Sequence, residues 1–344
     1  MARSRLIVAL LLTYLSFSCV HEATQNVSPA GRFPTPSNSK PRPDYFNQPY
    51  GSHERNVLDF WQAESARPTP VVLFFHGGGF VGGDKWTLDP NLLSQCLNAG
   101  ISVASANYRK STQAPYPAPM LDGARAVQYL RFRAKDFNID PNRIAVSGNS
   151  AGAGISLWNA FHDDLRQPRS RDRVARQSSR VTCACVVGAQ SSYDPRFVRS
   201  VIGGRAYEHP ALPTFYGISL EELDSPKAYA LYEDAAAITH VSKDDPPVLM
   251  YYTEPRADLA PGPNTGPNLY YPDFGKSLEG HDNPGWGIHH PKFGIALKEV
   301  LDPLNIECML IHRDNFPAGA NPGSEVNQKM VQFMQKQFKM NASD

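Results

Sequence analysis

The apolar stretch at the start of this chain, Leu6–Leu15, stops well short of the roughly 20 residues that a membrane-spanning helix needs. An excess of one charge is also missing. The 34 Lys and Arg against 33 Asp and Glu leave a net charge of +1, so nothing electrostatic argues for nucleic acid or an acidic substrate. Cysteine is scarce, at five. With Cys19 set aside, Cys96, Cys183, Cys185 and Cys308 fall in apolar helix- or strand-like segments, where buried free thiols are expected. Cys183 and Cys185 share one strand face, and no second pair or histidine cluster is spaced to complete a metal site. A chain of 344 residues supports a large core without disulfides. No Gly-Lys-Ser/Thr follows the glycines of His76-Gly77-Gly78-Gly79, which argues against a phosphate loop.

Proline, by contrast, is abundant at 30 and concentrates in loops, as suits long ordered excursions. The basic opening Met1–Arg5 followed by Leu6–Leu15 has the layout of a signal peptide, so export is expected. Residues 1–23 form that signal peptide or a lipoprotein signal, with Cys19 as the lipid-bearing candidate, although Ser16 and Phe17 fit a lipoprotein pattern poorly. Residues 24–44 are rich in Pro, Ser and Asn and lack the apolar surface to order themselves, which predicts a flexible linker. One α/β domain is expected over 45–340, with a cap-like excursion at about 194–243 and a Gly/Pro/Asn-rich loop insertion at 260–287.

The domain is organised around Arg143–Gly152. A short buried strand, Ile144-Ala145-Val146, runs into Gly148-Asn149-Ser150-Ala151-Gly152, and an apolar helical stretch follows to Phe161. Gly-x-Ser-x-Gly between a strand and a helix is the nucleophile elbow, which lifts the serine hydroxyl above the sheet edge. Upstream, Val71–Phe75 is a continuous apolar run of strand length leading into His76-Gly77-Gly78-Gly79-Phe80. Such a loop offers free backbone N–H groups, so Gly77, Gly78 and Ala151 are the expected oxyanion donors.

Between these anchors stand Tyr108-Arg109, Ala114–Ala118, Asp122–Leu130 and Asn138–Arg143. In this order they resemble esterases of the hormone-sensitive-lipase-like and feruloyl-esterase-like branches of the α/β-hydrolase superfamily. The resemblance is dense from about Tyr50 to Phe161 and looser from Val181 onward. It implies an α/β-hydrolase fold, with a mostly parallel eight-stranded sheet flanked by helices and a cap over the site. It also implies serine-dependent ester cleavage without a cofactor. Substrates in keeping with it are small-molecule esters, or acetyl and feruloyl groups borne on polysaccharide.

A serine needs a base, and the base needs a carboxylate to orient it. The resemblance places the acid after the seventh strand, Val248–Tyr252, about where this chain has Arg256. Glu254 and Asp258 flank that position and both remain candidates, with Asp194 as a weaker substitute. The resemblance places the histidine in the loop after the last strand, where Pro317-Ala318-Gly319 stands instead. His312 falls too early, at the end of the strand. Of the other histidines, His281 and the pair His289-His290 are conspicuous, and Pro291 marks the pair as the start of a helix at the same sheet edge as Ser150. His289 or His290 is therefore the expected base. The alternative function is a hydrolase scaffold without an efficient base that binds a carbohydrate or other small ligand.

Overall fold

The computed structural model describes residues 40–259 and 283–340. The expected signal segment with Cys19, residues 24–39 of the expected linker, and residues 260–282 of the expected insertion, which include His281, lie outside the described residues.

Eight strands form one sheet in the order β1-β2-β4-β3-β5-β6-β7-β8. They are β1 (Tyr45–Pro49), β2 (Val57–Trp61), β3 (Thr69–Phe75), β4 (Ser102–Ala106), β5 (Ile139–Asn149), β6 (Cys183–Val187), β7 (Val248–Tyr252) and β8 (Cys308–His312). β2 pairs antiparallel with both β1 and β4, and every other pairing is parallel. The helices are α1 (Pro90–Asn98), α2 (Ala118–Phe132), α3 (Ala151–Phe161), α4 (Pro195–Phe197), α5 (Ala211–Tyr216), α6 (Pro226–Ala235), α7 (Lys292–Leu301) and α8 (Gly323–Gln337). The sheet expected from the resemblance is the one observed.

β3 explains why an unbroken apolar run makes a central strand. Val71, Leu73 and Phe75 join one apolar layer, which takes in α2, α3 and α7. Val72 and Phe74 join the other, beneath α1 and α8. Strand side chains alternate between faces, so burial on both sides demands apolar residues at every position.

Three elements depart from expectation. β1, which pairs with β2, was not anticipated, and Asn47 (φ 49°) interrupts its register. α2 starts at Ala118, four residues before the Asp122–Leu130 segment singled out in the sequence, because proline is accommodated in a first helical turn. α8, which covers one face through Val326, Met330 and Met334, was not anticipated.

Two ionic contacts fix the loops at the site edge. Asp122 accepts from the backbone N–H of Arg109 and from its guanidinium, clamping the chain after β4 onto α2. Lys85, just past the glycine loop, donates to Asp59 of β2 at 2.7 Å, and both side chains are sealed from solvent.

Candidate active site

Ser150 sits at the bend between β5 and α3 with φ 52° and ψ −118°, a conformation that a non-glycine residue rarely adopts. Its N–H donates to the carbonyl of Val187 at 2.9 Å, tying the bend to β6. The bend is so tight that a Cβ on Gly152 would collide with the carbonyl oxygen of Phe75, and one on Gly148 with the backbone of Gly152. The spacing of glycine, serine and glycine thus reflects backbone packed against backbone.

The glycine loop lies beside this bend. Gly78 (φ 115°), Gly79 (φ 57°) and Ala151 line the same cavity as Ser150, while Gly77 does not. Among the described residues no backbone carbonyl accepts from the N–H groups of Gly78 or Gly79, and Ala151 opens a helix, where the first N–H groups have no intrahelical partner. His76 braces the loop. Its Nδ1–H donates to the Gly77 carbonyl at 2.8 Å, its Nε2 accepts from Arg55 at 3.1 Å, and its ring stacks on Tyr108. Burial lowers its pKa to about 4, so it stays neutral and serves as a strut.

The histidine pair divides. His289 places Nε2 2.9 Å from Ser150 Oγ, although 139 positions separate them in sequence. Its backbone N–H donates to Glu254 Oε1 at 2.9 Å. Gly188, after β6, gives the ring its room, since a Cβ there would stand 2.9 Å from its Cδ2. Burial lowers the pKa of His289, and nearby His209 adds to the effect. His290 turns away. Its Nε2–H donates to Ala257 O at 3.0 Å and its Nδ1 accepts from Lys292 N–H at 3.1 Å, so it closes the first turn of α7.

The remaining candidates are also placed. Glu254 is partly buried, and burial raises its pKa against the pull of the His289 and Gly287 N–H groups. Its Oε1 is engaged by His289, while its Oε2 is buried with no hydrogen-bond partner among the described residues. Asp258 is exposed and paired with Lys292 at 2.9 Å. Asp194 caps α4 and pairs with Arg196. His312 ends β8, three strands from β5, and so about 14 Å across the sheet from the serine.

Beside Ser150 opens a cavity of about 240 Å³, walled mainly by apolar side chains. Phe80, Tyr193 and Ile288 come from the loops around the sheet edge, Phe293 from the first turn of α7, and Val198, Ala206, Leu212 and Phe215 from the excursion at 194–243. Of the aromatics in that excursion, Phe215 lines the cavity. Tyr216, Tyr229 and Tyr232 pack against one another instead. The sequence reading missed Gly79 and His209, both on the cavity wall. Gly79 stood inside the motif already read, while His209 carried no local signal.

The BD-FAE family model matches residues 58–255, more than half of the chain. Esterase LipI of Mycobacterium tuberculosis is 41% identical over 87 residues, covering 25% of this chain and 27% of its own length. Carboxylesterase NlhH of the same organism is 37% identical over 100 residues, covering 29% and 31%. The chain therefore spans less than a third of the length of either relative. A truncated carbohydrate esterase from gut microbiota superposes with a TM-score of 0.62 at 19% identity, covering 86% of this chain and 96% of the other, which is a likeness of fold.

Proposed function

The chain belongs to the BD-FAE family of α/β-hydrolases, and from that premise we propose that it is a serine carboxylic-ester hydrolase with Ser150 as nucleophile and His289 as base. The observation that carries this reading is the 2.9 Å contact between His289 Nε2 and Ser150 Oγ beside the N–H groups of Gly78, Gly79 and Ala151. In the first step His289 Nε2 takes the hydroxyl proton as Oγ bonds to the acyl carbon. The carbonyl oxygen becomes an oxyanion held by those N–H groups, a kind of contact worth about 3–4 kcal/mol per donor. His289 then returns the proton to the departing alcohol oxygen, leaving the acyl group on Ser150. Water, deprotonated by the same nitrogen, attacks that ester and releases the acid and the free serine.

Glu254 is the orienting carboxylate in this reading. Its Oε1 fixes the backbone that carries the imidazole, and its unpartnered Oε2 is the buried oxygen left for the Nδ1–H of His289 once that ring is charged. The apolar cavity suits the acyl half of a small ester. A base within reach of the serine disfavours the alternative of a scaffold that only binds. The charge and apolar layout of residues 1–15 supports export. The test is p-nitrophenyl acetate turnover. Ser150→Ala is expected to lower kcat by at least about 10⁴-fold, and an unchanged rate would remove the serine from the mechanism.

A further inference from the structure

The net charge of +1 averages over an uneven surface. In the loop between α3 and β6, residues 162–180 carry six arginines against three aspartates, and the reaction proposed above uses none of them. The loop leads into the start of β6, which runs parallel to β5, so it lies at the opposite end of the sheet from Ser150. The paired stretch of β5 from Ile144 to Asn149 alone puts roughly 17 Å between the two ends.

Two adjoining hollows of about 410 and 500 Å³ share Arg131, Arg166, Arg176 and Gln177. Arg180 borders the first and Arg173 the second, and among the described residues no Asp or Glu lines either. Arg180 is already paired with Asp244 and Asp245. The other guanidinium groups are held by neutral partners. Arg131 donates from Nε to Pro141 O at 2.9 Å, from Nη2 to Arg180 O at 2.8 Å, and from Nη1 to Ser178 O. Carbonyls fix this group without neutralising it, and two of its five N–H groups have no acceptor among the described residues. Asp164, the carboxylate whose field reaches Arg131, accepts instead from the backbone N–H groups of Arg166 and Ser179.

Arg166 Nε donates to Arg176 O at 3.0 Å, and Arg173 rests over the Phe132 ring, 5.1 Å from its centroid. The guanidinium of Arg176 has no partner among the described residues. Like charges gathered in this way repel one another, and a bound anion relieves that repulsion. Guanidinium forks pair with the oxygens of carboxylates and phosphates. A carboxylate offers two coplanar oxygens, whereas a phosphate group offers three and so meets several forks at once. One small anion fills part of one hollow, while linked groups reach the arginines of both.

We propose that this groove binds a soluble oligoanion whose phosphate-type groups are linked in a row, at a site that takes no part in the ester chemistry. Arg131, Arg166 and Arg176 are its main contacts, with Arg173 extending it on one side.

Calorimetric titration of the purified chain with tripolyphosphate and with orthophosphate, at low ionic strength, tests it. Tripolyphosphate is expected to bind at least about tenfold tighter than orthophosphate, since it engages more than one arginine. In the double variant Arg166→Gln/Arg176→Gln its affinity should fall at least about tenfold, the worth of one charge-assisted hydrogen bond. Arg169→Gln/Arg171→Gln removes the same two charges from exposed positions of the same loop, outside both hollows. That pair should change the affinity by less than about threefold, as exposed charges at a distance do. Should the first variant not fold, Arg176→Gln alone, at a guanidinium with no partner to lose, takes its place. No binding of tripolyphosphate, equal affinity for orthophosphate, or equal losses in the two double variants would each overturn the proposal.

Discussion

At the scale of single residues the site depends on where protons rest. Ser150 is held in a strained backbone conformation (φ 52°), and strain of that kind persists only where the surroundings over-determine it. Here the Val187 carbonyl and the two glycine contacts do so. His289 is partly buried, which lowers its pKa below 6.5. As the proposed base it must be neutral to accept the serine proton, so activity is expected to be lost as pH falls through that lowered value. The acid limb of a kcat/KM profile is therefore expected to have its midpoint below pH 6.5. A midpoint above 6.5 would show that another group controls the reaction. Glu254 holds the backbone of His289 and offers a second, unpartnered oxygen. Glu254→Gln keeps the shape and removes the charge that compensates an imidazolium. It is expected to lower kcat by about 10²–10⁴-fold, read from steady-state rates, while Asp258→Asn, at an exposed ion pair with Lys292, should change kcat by less than about twofold.

At the scale of elements, the glycine loop is held open by its neighbours. His76 ties the loop to Arg55 and Tyr108, and Lys85 ties its far end to Asp59 under the sheet. Lys85→Met is expected to cost about 3–5 kcal/mol in urea unfolding, because it strands a carboxylate that is fully buried. A loss under 1 kcal/mol would mean that the pair contributes little. The elements most legible in the sequence were those with local signals. β3 and β5 were marked by apolar runs ending in glycine motifs, and α3 by the helix that the serine turn must open. β1 and α8 were not legible, since β1 exposes much of its surface and α8 sets few apolar residues among many polar ones. Their places are decided by pairing with β2 and by covering the sheet, which are contacts between distant parts of the chain.

At the scale of the whole molecule, the same division explains which parts of the site the sequence reading reached. Ser150, Gly78 and Ala151 fall within continuous motifs whose spacing follows from one tight bend. The proposed base arises otherwise, since His289 meets the serine across 139 positions only because β5, β6 and β7 are adjacent and parallel. Within the pair, His290 is committed through both ring nitrogens to Ala257 and Lys292, a distinction that sequence spacing does not carry. His209 enters the cavity from the excursion between β6 and β7 and had no pattern to announce it. The most direct measurement of the account is the rate at which a fluorophosphonate labels the serine, followed by intact mass with the modified peptide sequenced. One adduct on Ser150 is expected, slowed by at least about 10³-fold in His289→Ala and within about threefold of the unaltered rate in His290→Ala. Labelling at another residue, or equal rates with and without His289, would contradict it.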